Sequence, residues 1–226
     1  MFSIVIPLLN EQANISNLID EINIKLDNYK EFEIILINDG STDNTSNIIN
    51  KIKNKKIKII NNSTTKGQSY SIKEGIKKSI NKIIVTIDGD GQNDPSDIPN
   101  LLKIFSEHDD IKLVGGIRSK RKDNIIKIVS SKIANFVRSR ILKDECKDTG
   151  CSLKVFDKEI FLSFPFFDGI HRFLPALFKG YGYKTNFLNV NHRKRKYGKS
   201  KYGTINRLIN GIIDMNKVRR ILKHKK

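Results

Sequence analysis

Short apolar runs and amphipathic stretches alternate along the first half of the chain. Consecutive apolar residues predict buried strands at Phe2–Pro7, Phe32–Ile37, Ile57–Ile60 and Lys82–Ile87, and a fifth strand begins at Leu113. These runs lack the strict apolar–polar alternation of a strand with one wet face. They therefore predict a sheet that is covered on both sides.

Between these strands, apolar residues recur at the spacing of one helix face. Ser41 or Thr42 is expected to cap the second of these helices. Strand–helix alternation of this kind predicts an α/β fold with a mostly parallel sheet and helices on both faces. The predicted helices are Ile15–Leu26, Ser69–Ile80, Asp97–Phe105 and, after the Ser41 or Thr42 cap, one whose apolar face carries Ile48, Ile49 and Ile52.

The second half of the chain is less regular. Basic amphipathic helices are predicted at Ile125–Leu142 and Thr204–Leu222. We predict one domain over residues 1–203, followed by a basic C-terminal helix over residues 204–226. That helix either docks on a membrane surface or packs on the core with a solvated tail.

Charge divides the chain into two unlike halves. The 226 residues carry 42 Lys and Arg against 24 Asp and Glu, a formal net charge of +18. Residues 1–110 hold 13 basic and 16 acidic side chains, whereas residues 111–226 hold 29 and 8. Basicity concentrated in one half predicts an anionic partner: a nucleic acid, a membrane surface or a phosphorylated substrate. A coding bias towards Asn, Lys and Ile also explains surplus lysines, but it leaves the acidic first half unexplained.

Several classes of protein are excluded by motifs that the sequence lacks. Two cysteines exclude a disulfide-rich scaffold, and their surroundings lack zinc-ligand spacing. No apolar stretch approaches the roughly 18 residues of a membrane-spanning helix, and no signal peptide is predicted. Neither a dinucleotide fingerprint nor a triphosphatase phosphate loop is present.

Acidic and amide side chains follow three of the predicted strands. Asn10 and Glu11 follow the first strand, Asp39 ends the second, and the Asp88-Gly89-Asp90 motif follows the fourth. Ligands of open α/β sheets bind beyond the carboxyl ends of the strands, so these side chains are expected to share one rim. Asp39 fits both a turn with helix capping and an acceptor for a nucleotide base or sugar.

The Asp88-Gly89-Asp90 motif puts two carboxylates next to each other at a strand end. The glycine lets the backbone bend, and Gln92 adds a neutral oxygen. Close carboxylates repel and call for a cation, and oxygen ligands suit Mg²⁺ or Mn²⁺ shared with substrate phosphates. An Asp/Gly turn is the alternative. The buried strand before the motif favours the metal site.

The chain resembles the inverting family 2 glycosyltransferases of GT-A fold, a Rossmann-like α/β fold. Later segments resemble the polyprenyl-phosphate branch, which includes dolichol-phosphate mannosyltransferases and undecaprenyl-phosphate sugar transferases. Together the motifs run over nearly the whole chain. They are Ser3–Glu11, Ile37–Asp43, Asp88–Gln92, Asp148–Lys154, His171–Pro175 and Arg195–Tyr202.

The resemblance implies a role for each matching residue. Asp88, Asp90 and Asp148 would be catalytic, and Asp88, Asp90 and Gln92 would hold the metal ion. Arg118 and Lys127 would face the acceptor phosphate; a lysine offers only a point charge where the family has an arginine. Asp148 is equally well explained as a turn residue. The residues implied for nucleotide-sugar binding are Pro7, Asn10, Glu11, Asp39, Asp88, Arg195, Ser200 and Lys201. His171 is a site candidate by resemblance alone, whereas His192 is expected to be exposed.

The predicted function is a metal-dependent, inverting transfer of a sugar from a GDP- or UDP-sugar to polyprenyl phosphate. Mannose and glucose are favoured as common donors of the branch, and 4-amino-arabinose derivatives stay open. The enzyme is expected in the cytoplasm, peripheral on the inner face of the cell membrane and bound to its anionic surface. The alternatives are a glycan or soluble acceptor and, more remotely, a basic nucleic-acid-binding module. Sparse aromatics, 8% with no Trp, argue against nucleic acid.

Overall fold

The computed structural model describes residues 1–119, 135–195, 197 and 204–225, and the side chains of residues 204–209 are left aside. The described strands form one sheet with the order β3-β2-β1-β4-β6-β5-β7. They are β1 (Phe2–Leu8), β2 (Phe32–Asp39), β3 (Ile57–Asn62), β4 (Ile83–Thr86), β5 (Ile111–Arg118), β6 (Lys154–Asp157) and β7 (Lys184–Val190).

The sheet is mostly parallel, as the sequence predicts. β1 pairs in parallel with β2 and β4, β2 with β3, and β5 with β7. β6 runs antiparallel to both of its neighbours, β4 and β5. The sequence did not predict β6 and β7, because β6 has four residues and β7 is interrupted by asparagines.

Helices cover both faces of the sheet. The described helices are α1 (Ile15–Lys25), α2 (Thr45–Asn50), α3 (Gln68–Lys78), α4 (Ile98–Glu107), α5 (described over residues 135–142), α6 (Lys158–Ser163), α7 (Leu174–Gly180) and α8 (Thr204–Lys223). Short 3₁₀ helices occupy Pro95–Asp97 and Ile170–Arg172. This arrangement confirms the predicted α/β class.

Alternate side chains of the central strands supply two separate cores. Ile4 and Ile6 of β1 point to the core formed with α1 and α4, whereas Val5 points to the core formed with α3 and α7. All three are fully buried. A buried side chain of this size contributes roughly 1.5–3 kcal/mol, so a double-sided apolar strand fixes the centre of the fold.

The second helix begins later than the sequence predicts. Its N-cap is Asn44 and its first residue is Thr45, so neither Ser41 nor Thr42 caps it. Asp43 accepts hydrogen bonds from the main-chain N–H and the hydroxyl of Thr45. Ser41 and Thr42 instead bond to Asn10, which leaves them in the loop before the helix.

The C-terminal helix α8 packs one face on the domain. Val218 is fully buried in the α3–α7 core, and Asp214 forms an ion pair with Arg172 at 2.7 Å. On another face Ile212 and Ile213 stay about half exposed. Among the described residues no helix is long and apolar enough to cross a membrane. The division at residue 203 and the amphipathic character of the predicted C-terminal helices stay predictions.

Candidate active site

A cleft of about 170 Å³ opens beyond the carboxyl ends of β1, β2 and β4. Parallel strands bring their carboxyl ends to one edge, so residues far apart in sequence meet there. The lining residues are Pro7, Leu8, Leu9, Glu11, Asp39, Thr65, Gly67, Gln68, Asp88, Gly89, Asp90 and Arg195. Asn10, which is exposed, lies outside this lining.

Asp88 and Asp90 follow β4 at the floor of the cleft. Gln68 Nε2 donates to Asp88 Oδ1 at 2.8 Å, and the Gln92 N–H donates to Asp90 Oδ1 at 3.0 Å. Burial raises the pKa of Asp88 to about 6, with repulsion from Asp90 as a second cause. A raised pKa of this kind marks a carboxylate whose ionised form is disfavoured by its surroundings.

The glycines of this motif have different roles. A Cβ at Gly89 would lie 2.4 Å from Leu8 Cδ2, so this position needs glycine for space. Gly91 has a φ of 71°, the left-handed conformation that glycine adopts without strain. The turn spans Gly89 and Asp90, and Gly91 follows it in a conformation that favours glycine.

Arg195 reaches the acidic floor from the other side of the cleft. Its guanidinium forms an ion pair with Asp90 Oδ2, and its Nη1 lies 3.9 Å from Glu11 Oε1. Asp90 is 8% exposed and Glu11 is 6% exposed. Two predicted nucleotide-sugar ligands and one predicted metal ligand therefore meet in a single ionic cluster.

Asp39 organises the loop that follows β3. Its Oδ1 accepts from Asn62 Nδ2 at 2.8 Å and from the Lys66 N–H at 2.9 Å, and its Oδ2 accepts from the Gly67 N–H at 2.8 Å. A carboxylate has about four acceptor sites, so Asp39 keeps capacity on the side facing the cleft. These contacts show Asp39 holding a loop, and its role as a nucleotide ligand stays a prediction.

The loops after β1 and β2 are tied together through Asn10. Its main-chain N–H donates to Ser41 Oγ at 2.9 Å, and its Oδ1 accepts from the Thr42 N–H at 2.8 Å. Asn10 has a φ of 53°, a conformation that asparagine tolerates better than most residues. Its observed contacts shape the rim next to Pro7 and Glu11.

Arg118 and Asp148 bind each other. Arg118 Nε donates to Asp148 Oδ2 at 2.7 Å and Arg118 Nη2 donates to Oδ1 at 2.8 Å, a bidentate pair. The Arg118 main-chain N–H also donates to Oδ2 at 3.1 Å. Both side chains are largely buried, so the pair fixes the end of β5 to the loop before β6.

Lys154, the last residue of the Asp148–Lys154 motif, is a buried lysine for which the sequence predicts no role. It is 3% exposed, and its ammonium donates to the carbonyls of Cys151 and, at 3.5 Å, Thr149. Burial lowers the pKa of Lys154, and the charges of Asp148 and Asp88 oppose that shift. Lys154 is the first residue of β6. Because the sequence does not predict this strand, it does not predict that the lysine lies beside the carboxylates.

The segment 191–195 is clamped onto the loop after Asp90. The Arg193 N–H donates to the Gln92 carbonyl at 2.8 Å, and Gln92 Nε2 donates to the Arg193 carbonyl at 3.3 Å. The Arg193 guanidinium lies 2.5 Å from Glu21 and 2.9 Å from Asp94. This clamp carries Arg195 to the cleft. The sequence missed it because its acidic partners come from α1 and from the loop before α4.

His171 and His192 differ from each other in surroundings. His171 Nδ1 lies 2.7 Å from Ser69 Oγ, and burial lowers the pKa of its imidazole to about 3. His192 pairs with Asn93 in an isolated bridge and is buried, so its predicted exposure is wrong. A histidine in an otherwise basic run gave no sign of this burial. Lys127, Ser200 and Lys201 lie outside the described residues.

The oxygen atoms of the acidic side chains in the cleft are of the kind that divalent cations prefer as ligands. Asp88 and Asp90 supply hard carboxylate oxygens, and a cation would oppose both the burial and the Asp90 charge that raise the pKa of Asp88. Gln92 is held beside them through its main chain. In the described part of the chain, however, no group of three His, Cys, Asp or Glu side chains is arranged to hold a metal ion.

A mostly parallel sheet with an acidic rim at the carboxyl ends of its strands is typical of α/β proteins that bind ligands at this edge. The sequence model of glycosyl transferase family 2 matches residues 3–163, so the chain belongs to this family. The chain is 32% identical over 230 residues to a dodecaprenyl-phosphate galacturonate synthase of Rhizobium johnstonii, covering 99% of this chain and 68% of that protein.

A second relative has a related name. The chain is 34% identical over 218 residues to an undecaprenyl-phosphate 4-deoxy-4-formamido-L-arabinose transferase of Shewanella sediminis, covering 94% of this chain and 65% of that protein. The chain thus spans about two thirds of the length of these relatives.

Solved structures confirm the fold. Glucosyl-3-phosphoglycerate synthase of Mycobacterium tuberculosis, solved with Mn²⁺, UDP and glucosyl-3-phosphoglycerate, superposes with a TM-score of 0.75 at 19% identity, over 97% of this chain and 79% of that one. Mannosyl-3-phosphoglycerate synthase of Rubrobacter xylanophilus gives 0.75 at 14% identity, over 100% and 76%.

Proposed function

We propose that this glycosyltransferase moves a sugar from a nucleotide-sugar to polyprenyl phosphate with inversion at the anomeric carbon. The observation that carries the proposal is the cleft in which Asp88, Asp90 and Arg195 meet at the carboxyl edge of the sheet. The names of two relatives that match almost the whole chain support polyprenyl phosphate as the acceptor class.

On the donor side, one part of the cleft holds the nucleoside and another neutralises the diphosphate. Asp39 and the neighbouring rim face the nucleoside, while Asp88 and Asp90 would hold Mg²⁺ or Mn²⁺ with help from Gln92. The metal, when bound, neutralises charge on the departing diphosphate. Arg195 reaches the same place from the 191–195 segment and is suited to bind phosphate oxygens bidentately.

On the acceptor side, the nucleophile needs little activation. An oxygen of the acceptor phosphate attacks the anomeric carbon from the face opposite the nucleoside diphosphate, whose bond to the sugar breaks. A phosphate monoester is largely ionised near neutral pH, because its second pKa is about 6. Positioning therefore matters more than a strong base. Arg118 has this positioning role, and Asp148 fixes the orientation of its guanidinium.

The donor sugar is the finer part of the proposal. The relatives' names mention galacturonate and 4-deoxy-4-formamido-L-arabinose, so the preference for mannose or glucose gains no support from them. UDP in a structural neighbour makes a uridine nucleotide the first choice to test. GDP-sugars belong in the same panel.

A lipid acceptor requires the enzyme to work at a membrane, and we place it on the cytoplasmic face as a peripheral protein. Phe136, Val137 and Ile141 lie on the exposed side of α5, and Phe136 is 60% exposed. Arg140 lies over the Phe136 ring at 5.0 Å. Aromatic and basic side chains on one helix face suit the interface of an anionic leaflet.

The test is sugar transfer to a short-chain polyprenyl phosphate with Mn²⁺, across UDP- and GDP-sugars that include the galacturonate and formamido-arabinose donors. We expect product from one donor, and loss of product with EDTA. Transfer to a glycan or to a small soluble phosphate, with none to the polyprenyl phosphate, would contradict the lipid acceptor. Asp110→Asn, at the opposite edge of the sheet, is the matched control for acidic variants in the cleft.

A further inference from the structure

Two buried carboxylates in the cleft already have a cation beside them. Asp90 pairs with the Arg195 guanidinium through Oδ2, and Glu11 Oε1 lies 3.9 Å from the same group. Asp90 Oδ1 is taken by the Gln92 N–H at 3.0 Å. Both polar sides of the Asp90 carboxylate are therefore engaged in the free protein.

A divalent cation on Asp90 Oδ2 would lie beside the Arg195 guanidinium, and two positive charges at that distance repel. The described part of the chain also offers no ready group of three acidic, His or Cys ligands. Metal binding to the free protein thus requires the loss of the arginine, together with ligands from outside the protein, which can be water molecules or substrate oxygens.

Both requirements are met by one molecule, a nucleoside diphosphate. Its phosphate oxygens are metal ligands, and they also offer Arg195 a bidentate partner of higher charge than a carboxylate. The rest of the segment is held independently of Arg195, since Arg193 bonds to Gln92, Glu21 and Asp94. Arg195 can therefore exchange partners while its backbone anchor stays in place.

We propose that Arg195 occupies the cation position at Asp90 and Glu11 in the free protein, so that the divalent metal binds only with the nucleoside diphosphate that draws Arg195 away. This inference rests on the proposed function. It makes Arg195 a positioning residue that sets the order of binding. It also makes the metal and the nucleotide strongly interdependent ligands.

The test is the affinity for Mn²⁺ alone, measured from the EPR signal of free Mn²⁺ in titrations of the full chain. Arg195→Gln is expected to bind Mn²⁺ without nucleotide at least about fivefold more tightly than the unmodified protein, the lower end of typical site coupling. The same variant should bind UDP with Mn²⁺ more weakly, because the diphosphate loses its arginine. Arg219→Gln removes an equal charge from the exposed face of α8 and should change neither affinity.

Unchanged Mn²⁺ affinity in Arg195→Gln would overturn the inference, and would leave the proposed function standing if the unmodified protein still binds UDP with Mn²⁺. Failure of the unmodified protein to bind UDP with Mn²⁺ would overturn both. A second measurement does not depend on the variant folding. If the unmodified protein binds Mn²⁺ equally well with and without UDP, Arg195 does not hold the site and the inference is overturned.

Discussion

The two carboxylates after β4 differ in how their charge is compensated. Asp90 has a direct ion pair with Arg195. Asp88 has a hydrogen bond from Gln68, and the charges of Lys154 and Arg118 act on it without outweighing its burial. Burial therefore disfavours the ionised form of Asp88.

Removing either carboxylate should abolish most of the activity. We expect Asp90→Asn to lower kcat/KM for sugar transfer by about 100-fold or more, the usual cost of losing one group that stabilises developing charge. UDP binding in the presence of Mn²⁺, measured by calorimetry, should weaken in parallel. Asp110→Asn, whose partner Lys184 lies far from the cleft, should match the unmodified protein. Equal activity of Asp90→Asn and Asp110→Asn would remove Asp90 from the site.

The raised pKa of Asp88 predicts that this residue, although expected to be needed for activity, lowers the stability of the fold near neutral pH. The folded state holds the Asp88 proton up to about pH 6, whereas the unfolded chain releases it near 3.8, the ordinary pKa of an aspartate. Folded protein therefore binds more protons between these pH values, and this group lowers stability as pH rises through that window. Above it the full penalty is present.

Asp88→Asn removes that penalty. Near pH 7 we expect its Tm to rise by at least about 2 °C, as roughly 1 kcal/mol gives in a chain of this size. Near pH 4, where Asp88 is protonated in the folded protein, the difference should shrink. Thermal melts at both pH values test this, and a variant less stable than the unmodified protein near pH 7 would contradict the assignment.

At the scale of whole elements, two connections control the cleft. The 191–195 segment is fastened to the loop after β4 by Arg193, and the loop before β6 is fastened to β5 by the Arg118–Asp148 pair. β6 runs antiparallel between β4 and β5, and this brings Lys154 to the carboxylates. The second half of the chain thus delivers cations to carboxylates that the first half supplies.

The Arg193 clamp should matter for binding rather than for stability. Its guanidinium is about one-third exposed, and exposed ion pairs contribute only about 0–1 kcal/mol. We expect Arg193→Ala to raise KM for the nucleotide-sugar several-fold while Tm changes little. Steady-state kinetics and thermal melts measure the two effects. A large fall in Tm with unchanged KM would show that the clamp only supports the fold.

A further ion pair joins α5 to the loop that follows it. Arg138 of α5 is buried against Asp144 at 2.5 Å and against the Cys146 carbonyl. Burial raises the pKa of Asp144, and Arg138 opposes that shift. Arg138→Met should destabilise the protein by about 3–5 kcal/mol, because it leaves a buried carboxylate unpaired.

The double variant Arg138→Met/Asp144→Asn should recover part of this loss. Chemical denaturation gives the free energy of unfolding of the unmodified protein, the two single variants and the double variant. Strictly additive effects of the two substitutions would exclude coupling between these side chains.

At the scale of the whole molecule, the acidic half and the basic half make different contributions to the cleft. The first 110 residues contribute the strands and carboxylates of the cleft, and the later residues contribute Arg118, Lys154, Arg193 and Arg195 together with the excess of positive charge. Exposed apolar side chains on α5 and α8 lie in the basic half. A lipid phosphate in an anionic leaflet matches that surface in both charge and polarity.

Vesicle binding tests this match. The protein should co-sediment with vesicles that contain phosphatidylglycerol, less so as salt is raised, and not with purely zwitterionic vesicles. Phe136→Ser should weaken binding several-fold, since it removes an exposed aromatic side chain. Val137→Ser on the same face should weaken it less. Ile24→Ser, an exposed position on α1 in the acidic half, is the control. Equal losses in the Phe136 and Ile24 variants would contradict docking through α5.

The sequence by itself determined the centre of the fold. Apolar runs such as Ile4–Ile6 are fixed by a local pattern, because a strand buried on both faces is mostly apolar. The same pattern located Asp39, Asp88 and Asp90, since parallel strands end at one edge. These inferences need only the spacing of apolar residues along the sequence and the direction of the strands.

Only the tertiary structure decided which charges meet. Arg195 and Asp90 are 105 residues apart, and Arg118 and Asp148 are 30 apart, so no local pattern connects them. The antiparallel insertion of β6, the burial of Lys154 and the partners of Arg193 depend on how the second half folds back onto the first. Charges find partners through space and not through sequence spacing, and for this reason the cation side of the cleft became visible only in the folded chain.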